Sequence, residues 1–233
     1  MQAPETSRSR AGPPDTWAIV VAAGQGQRFG GAKQFADLGG RSVLDWAVAA
    51  VRAVAGGVVV VVPAEVLEDA GLLARLPVVE AVVAGALTRS GSVRAGLAAV
   101  PASAEVVVVH DAARPLATAA LCRAAVAALA DGDAGVAAAV AAVPVVDTVK
   151  RVVDGVVVAT LDRTELVAVQ TPQAFRAAWL RRAHEGEPEA SDDAALVERA
   201  GGRVRIVLGE EANAKLTHAG DLERARRWAA GDR

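Results

Sequence analysis

The chain has little of what covalent, redox or extracellular chemistry requires. A single cysteine, Cys122, among 233 residues excludes an internal disulfide and fits a reducing compartment. It sits in an Ala/Leu-rich run and reads as a small buried hydrophobe. The three histidines, His110, His184 and His218, do not support a Ser-His-Asp set, and no Cys/His metal cluster appears. Charge of neither sign dominates. Twenty-five Lys and Arg against 27 Asp and Glu leave a formal net charge of −2, without the basic footprint of a nucleic-acid partner. The apolar runs are short and interrupted, so none is long enough to span a bilayer. Residues 1–16 (MQAPETSRSRAGPPDT) lack the apolar stretch of a signal peptide and read as a disordered tail. Cytoplasm is the expected location. No internal repeat is visible.

What is present suits a sizeable core. Apolar residues make up 53% and charged residues 22%, and the length fits one domain, here 17–233. Val-rich runs at 17–23, 57–63, 78–84, 105–112 and 135–144 read as strands. They are continuous rather than alternating, as expected when both faces of a sheet are covered. Helical segments are expected at 42–55, 92–100 and 116–130, then up to about 185, over 191–201 and from about Ala219. A further strand is expected at 203–209. Ser191, followed by two aspartates, reads as a helix N-cap. Alternation of strand and helix predicts an α/β layered fold with a mostly parallel twisted sheet flanked by helices.

The stretch DTVKRVVDGVVVATLDR (147–163) departs from that alternation. Two β-branched runs flank Asp154-Gly155, a strong hairpin signal. The hairpin is expected to project as an arm over about 144–166 and, being marginal alone, to pack on another subunit. An antiparallel addition at the sheet edge is the alternative.

Two strand ends carry the chemistry. In parallel sheets ligands bind beyond the carboxyl ends of the strands, and the first strand runs into AAGQGQRFGGAKQF (22–35). Gly24 and Gly26 let backbone N–H groups approach phosphates. A dinucleotide fingerprint would need a small residue at Phe29 and an acid where Pro63 stands, and a P-loop would need Gly-Lys-Ser/Thr. Arg28 and Lys33 instead suit a triphosphate whose charge grows on a leaving group. The second end, VVVVHDAARP (106–115), delivers His110, Asp111 and Arg114 to the same edge. Asp111 could meet a phosphate-bound metal or a substrate hydroxyl, Arg114 a second anion, and His110 reads as a hydrogen-bonded structural residue. Lys150, Arg163 and Lys215 individually read as surface charges.

In order and spacing, AAGQGQRFGGAKQF, GSVRAGL, VVHDAARP, DTVK, DR, TPQAF, SDDAALVE and NAKLT resemble the 2-C-methyl-D-erythritol 4-phosphate cytidylyltransferases over about residues 17–230. The resemblance implies a Rossmann-like nucleotidyltransferase domain, a projecting arm, an arm-exchanged homodimer and a divalent cation, Mg2+. It implies that CMP passes from CTP to the methylerythritol phosphate, releasing pyrophosphate. The CTP loop falls on Ala22, Ala23, Gly24 and Gly26. Further nucleotide contacts fall on Gly85, Ser92, Asp111 and Ala112. The transition-state cations fall on Arg28 and Lys33. Substrate contacts, partly from the partner's arm, fall on Asp111, Arg114, Thr148, Arg163, Thr171, Ser191 and Lys215. Arg163 and Lys215 would hold the attacking phosphate, and Asp111 is the candidate metal ligand. Two departures stand out. Ala32 replaces a usual proline, and GALT (85–88) replaces a Gly-Gly-acid lead, so Leu87 is left out of the expected site. The alternatives are a cytidylyltransferase for another polyol phosphate such as ribitol 5-phosphate, a non-catalytic nucleotide-sensing module and an NAD(P) oxidoreductase.

Overall fold

The computed structural model describes residues 15–24, 29, 31–130 and 135–231. In chain order the elements are β1 (Thr16–Val21), α1 (Val43–Arg52), β2 (Gly57–Val62), α2 (Ala64–Glu68), α3 (Ala70–Leu73) and β3 (Ala81–Ala84). Then come α4 (Arg89–Ala99), β4 (Val106–Asp111), α5 (Ala119–Ala127), β5 (Val136–Pro144), β6 (Lys150–Val153) and β7 (Val156–Thr160). The chain ends with β8 (Val167–Arg176), α6 (Ala177–Ala183), α7 (Asp193–Arg199), β9 (Arg203–Leu208) and α8 (Ala219–Ala229). The main sheet runs β3-β2-β1-β4-β8-β5-β9. Its pairs are parallel except that β8 runs antiparallel to both β4 and β5.

The valine runs are continuous because successive side chains enter different cores. Val58, Val60 and Val62 pack with Val48 of α1 and Ala125 of α5 on one face. Val59 and Val61 pack with Val93 of α4, Leu180 and Val197 on the other. α4 lies so close to the sheet that a Cβ on Gly96 would stand 2.6 Å from Ile19 Cγ2 and 2.9 Å from Val61 Cγ2. In an open helix Gly→Ala would gain about 1 kcal/mol, whereas overpacking a close contact costs about 1–3 kcal/mol. Gly96→Ala is therefore expected to lower the urea midpoint of unfolding. An unchanged or higher midpoint would show that α4 can lift off the sheet cheaply.

Several boundaries differ from expectation. β1 begins at Thr16, inside the stretch read as a tail, whose residues 1–14 lie outside the described ones. β3 is shorter than 78–84 because the Glu80 carboxylate turns back to accept from the Val58 N–H at 2.6 Å. α4 starts at Arg89 rather than at Ser92, since the Thr88 hydroxyl accepts from the Gly91 N–H and caps it. The cap of α7 is Asp192, not Ser191. Its Oδ1 accepts from Ala195 N at 3.0 Å, and its Oδ2 from Gln173 Nε2 at 2.9 Å.

β6 and β7 form a separate two-stranded sheet, apart from the main one, with a positive φ at Asp154 and Gly155 in the turn. Its valines 152, 153, 156, 157 and 158 are exposed. β8 follows directly and supplies the central antiparallel strand. Pro172 sits there without breaking the ladder because β8 is bulged between the residues opposite Val140 and Ala142, and its pairing with β4 ends at Gln173. The missing N–H falls where no ladder bond is due.

Candidate active site

At the carboxyl ends of β1, β3 and β4 lies a cavity of about 200 Å3. Ala22, Ala23 and Gly24 form one wall, Ala86, Leu87 and Thr88 another, and Asp111, Ala112 and Ala113 a third, with Lys33, Gln34, Arg89, Ser92 and Lys215 completing it. The loop after β1 and the turn before α4 meet closely. A Cβ on Gly85 would stand 2.3 Å from Ala23 Cβ, so only glycine lets the two segments touch. The Ser92 hydroxyl ties that turn, accepting from Ala86 N at 3.1 Å and donating to Thr88 O at 2.9 Å.

Asp111 stands at the centre. Its Oδ1 accepts from Arg89 Nε at 3.1 Å and its Oδ2 from Lys215 Nζ at 2.6 Å. Burial alone would push this carboxyl up. Arg89 and Lys215 outweigh it and hold the group well below the usual carboxylate range. Behind it runs a fixed chain of hydrogen bonds. The Asp111 N–H donates to Thr171 Oγ1 at 3.0 Å, Thr171 Oγ1 lies 2.9 Å from His110 Nδ1, and His110 Nε2 lies 3.1 Å from the Arg114 carbonyl. A carbonyl only accepts, so Nε2 carries the proton, Nδ1 accepts, and the threonine hydroxyl donates to it. Burial pushes the His110 pKa down to about 4, which keeps the ring neutral and the brace intact at neutral pH.

Lys215 is placed by its neighbours. Asn213 and Leu216 are buried. Asn213 Nδ2 donates to Gln170 Oε1 at 3.0 Å and to the Thr171 carbonyl at 2.8 Å, while Leu216 N donates to the Ala113 carbonyl at 2.7 Å. Lys33 reaches over from the 3-10 turn Lys33–Phe35 and donates to the Leu216 carbonyl at 3.0 Å.

Of the expected site residues, Ala22, Ala23, Gly24, Lys33, Ser92, Asp111, Ala112 and Lys215 meet in this cavity. Arg114 does not line it. Its guanidinium donates to the Asn213 carbonyl at 2.7 Å and so holds the segment that carries Lys215. Thr171 is buried behind Asp111 with its hydroxyl committed to the brace. Ser191 is exposed ahead of α7, and Thr148 and Arg163 are exposed on the arm, where Arg163 donates to the Val146 carbonyl. Gly26 and Arg28 lie outside the described residues. Arg89, Gln34, Ala86 and Thr88 were not among the expected residues, and Leu87, left out on its departure from the pattern, stands on the wall. Arg89 gave no signal in the sequence, because the helix was expected to begin at Ser92 and only the fold places Arg89 in its first turn.

Among the described residues the cavity wall holds three cations, Lys33, Arg89 and Lys215, against one carboxylate. With small residues at two approaching loops, this defines an α/β protein with a crevice whose chemistry suits a phosphate chain. The family model for 2-C-methyl-D-erythritol 4-phosphate cytidylyltransferase (IspD) matches residues 16–229, and the chain belongs to this family of nucleotidyltransferases. A protein of that name from Rhodococcus opacus is 48% identical over 215 residues, covering 90% of this chain and 92% of its own. A bifunctional IspD/IspF enzyme of Nitratidesulfovibrio vulgaris is 46% identical over 228 residues, and there the chain spans 56% of the relative's length. The crystal structure of the Thermus thermophilus cytidylyltransferase aligns with a TM-score of 0.75 at 33% identity, covering 91% of this chain and 98% of that one. No helix among the described residues is long and apolar enough to cross a membrane.

Proposed function

We propose that the chain transfers CMP from CTP to the phosphate of 2-C-methyl-D-erythritol 4-phosphate, giving 4-diphosphocytidyl-2-C-methyl-D-erythritol and pyrophosphate. The observation that carries this reading is the cation-rich cavity wall around a single ion-paired aspartate, in a chain of this family. An oxygen of the substrate phosphate bonds to the α-phosphorus of CTP in line, and the bond from that phosphorus to the bridging oxygen of pyrophosphate breaks. No covalent nucleophile is needed, since orientation and charge stabilisation suffice. Lys33 neutralises charge developing on the phosphates, together with Arg28. Lys215 holds the attacking phosphate against the triphosphate.

Among the described residues no group of three His, Cys, Asp or Glu could cage a metal ion, and Asp111 is the one carboxylate of the cavity. That donor set fits Mg2+ carried by the triphosphate, which takes one or two carboxylates alongside phosphate oxygens. When bound, the ion would lower the charge of the triphosphate, with Asp111 as its protein ligand. Thr148 and Arg163 would reach the substrate from a partner's arm in a homodimer. The exposed valines of β6 and β7, continued by Val167 and Val169 at the start of β8, support a ribbon that a second copy covers.

The test is pyrophosphate release with CTP and a panel of polyol phosphates. Release with the methylerythritol phosphate, and much less with ribitol 5-phosphate, is expected. The opposite preference would replace the substrate but keep the chemistry, and binding of CTP without release from any polyol phosphate would overturn the reading.

A further inference from the structure

We infer that Arg89 is a positioning residue for the transfer, setting the Asp111 carboxylate and, through it, the ammonium of Lys215. This rests on the functional reading above. Arg89 is the first residue of α4, directly after the Ala86–Thr88 turn on the cavity wall. Its Nε donates to Asp111 Oδ1 at 3.1 Å, and its Nη1 donates to Asp193 Oδ2 at 2.7 Å. Asp193 opens α7, is fully buried, and has its other oxygen 3.0 Å from His184 Nε2. Arg89 thus joins β4 to α7 from a third element.

A cation is unfavourable at a helix N-terminus, and a buried carboxylate is costly unless paired. Each group therefore stands where it does because the other is present. Burial pushes the Arg89 guanidinium down, but Asp111 and Asp193 outweigh it and hold it above its ordinary value, so the fork stays charged. By occupying Oδ1, Arg89 fixes the plane of the Asp111 carboxylate and leaves Oδ2 to Lys215, 2.6 Å away. The Lys215 side chain is 44% exposed, and a long flexible stem in that setting takes its direction from the oxygen it meets. A planar guanidinium can serve two carboxylates in two fixed directions, which an ammonium on a flexible stem does not reproduce.

The test is a double-mutant cycle on the full chain, with pyrophosphate release from CTP as the readout and thermal unfolding as the control. Arg89→Lys, which keeps the charge, is expected to lower kcat/KM for the polyol phosphate by about 10- to 100-fold, the scale of a small misplacement of a reacting group. In a Lys215→Ala background the same change is expected to cost less than about threefold, because the group it positions is gone. A merely structural role would give losses that multiply, and that result would overturn the inference, as would an Arg89→Lys enzyme of wild-type activity. If Arg89→Lys fails to fold, Asp193→Asn carries the same cycle, with a smaller loss and the same non-additivity expected; multiplying losses there overturn the inference equally. A wild type that releases no pyrophosphate overturns the functional reading and this inference together, whereas an active wild type with multiplying losses overturns this inference alone.

Discussion

Lys215→Ala is expected to lower kcat/KM for the polyol phosphate by about 100-fold or more, the scale of a lost transition-state donor, with little change in folding. The two readouts separate because of where the side chain sits. Its ammonium reaches the centre of the cavity, 2.6 Å from Asp111 Oδ2, yet the side chain is 44% exposed. An ion pair that open to water contributes at most about 1 kcal/mol. Asp111 moreover keeps Arg89 and its backbone brace to Thr171. The loss should therefore be catalytic. In the proposed transfer two phosphate-bearing anions must approach within bonding distance, and Lys215 is the cation assigned to the attacking one. Steady-state pyrophosphate release and a thermal melt decide the matter. Activity within threefold of wild type would remove Lys215 from the mechanism, and a melt lowered by more than a few degrees would make the loss structural.

Asp111→Asn should be as damaging to catalysis, about 100-fold or more, and should also cost stability. The asparagine keeps the shape, but its amide donors would face one of two cations that now lack their shared anion. Arg89 retains Asp193, so the cost is that of a spoiled buried hydrogen bond, about 1–3 kcal/mol. Its pH dependence has a definite direction. Asp111 is held below the usual carboxylate range by Arg89 and Lys215 against the opposing effect of burial. A depressed carboxyl contributes stability that is fully present above its unfolded pKa of about 3.9 and is lost as pH falls towards the folded one. The gap between wild type and variant should thus be flat from neutrality down to about pH 5 and close in stronger acid. Urea midpoints measured between pH 3 and 7 test it, and a gap that widened in acid would contradict the assignment.

The elements most legible in the sequence are those whose pattern has one physical cause. Five-valine and four-valine runs in β2 and β4 mean burial on both faces, and neither strand lies at a sheet edge. Asp154-Gly155 means a tight turn, and the hairpin is there. β8 was harder to type, since Pro172 argues against a central strand until the bulge at that point is known. At the site, the small-residue loop, Lys33 and Asp111 were legible because strand ends and glycine-rich turns collect ligands, whereas Lys215, taken alone, reads as a surface charge and entered only through the family resemblance. Arg89 was not legible. Its meaning depends on Asp111 and Asp193, residues 22 and 104 positions away in the chain, and no local pattern encodes such a meeting. Arg114 was read as an anion contact from its place at a strand end, and Thr171 as a substrate contact from the family resemblance. In the fold both are used inward, on the Asn213 carbonyl and on the His110 ring.

The place of β8 has a consequence for how the chain comes into being. β4 pairs with β1 on one side, but its other neighbour is made only after α5, β5 and the whole arm have been synthesised. Until then Val106, Val107, Val108 and Val109 form the unpaired border of a half-built sheet, the kind of open edge that recruits other chains. On the ribosome, the nascent protein therefore carries an adhesive margin through roughly a quarter of its length. Chaperone demand should peak late, when the arm is emerging, and fall once residue 176 is free to close the gap.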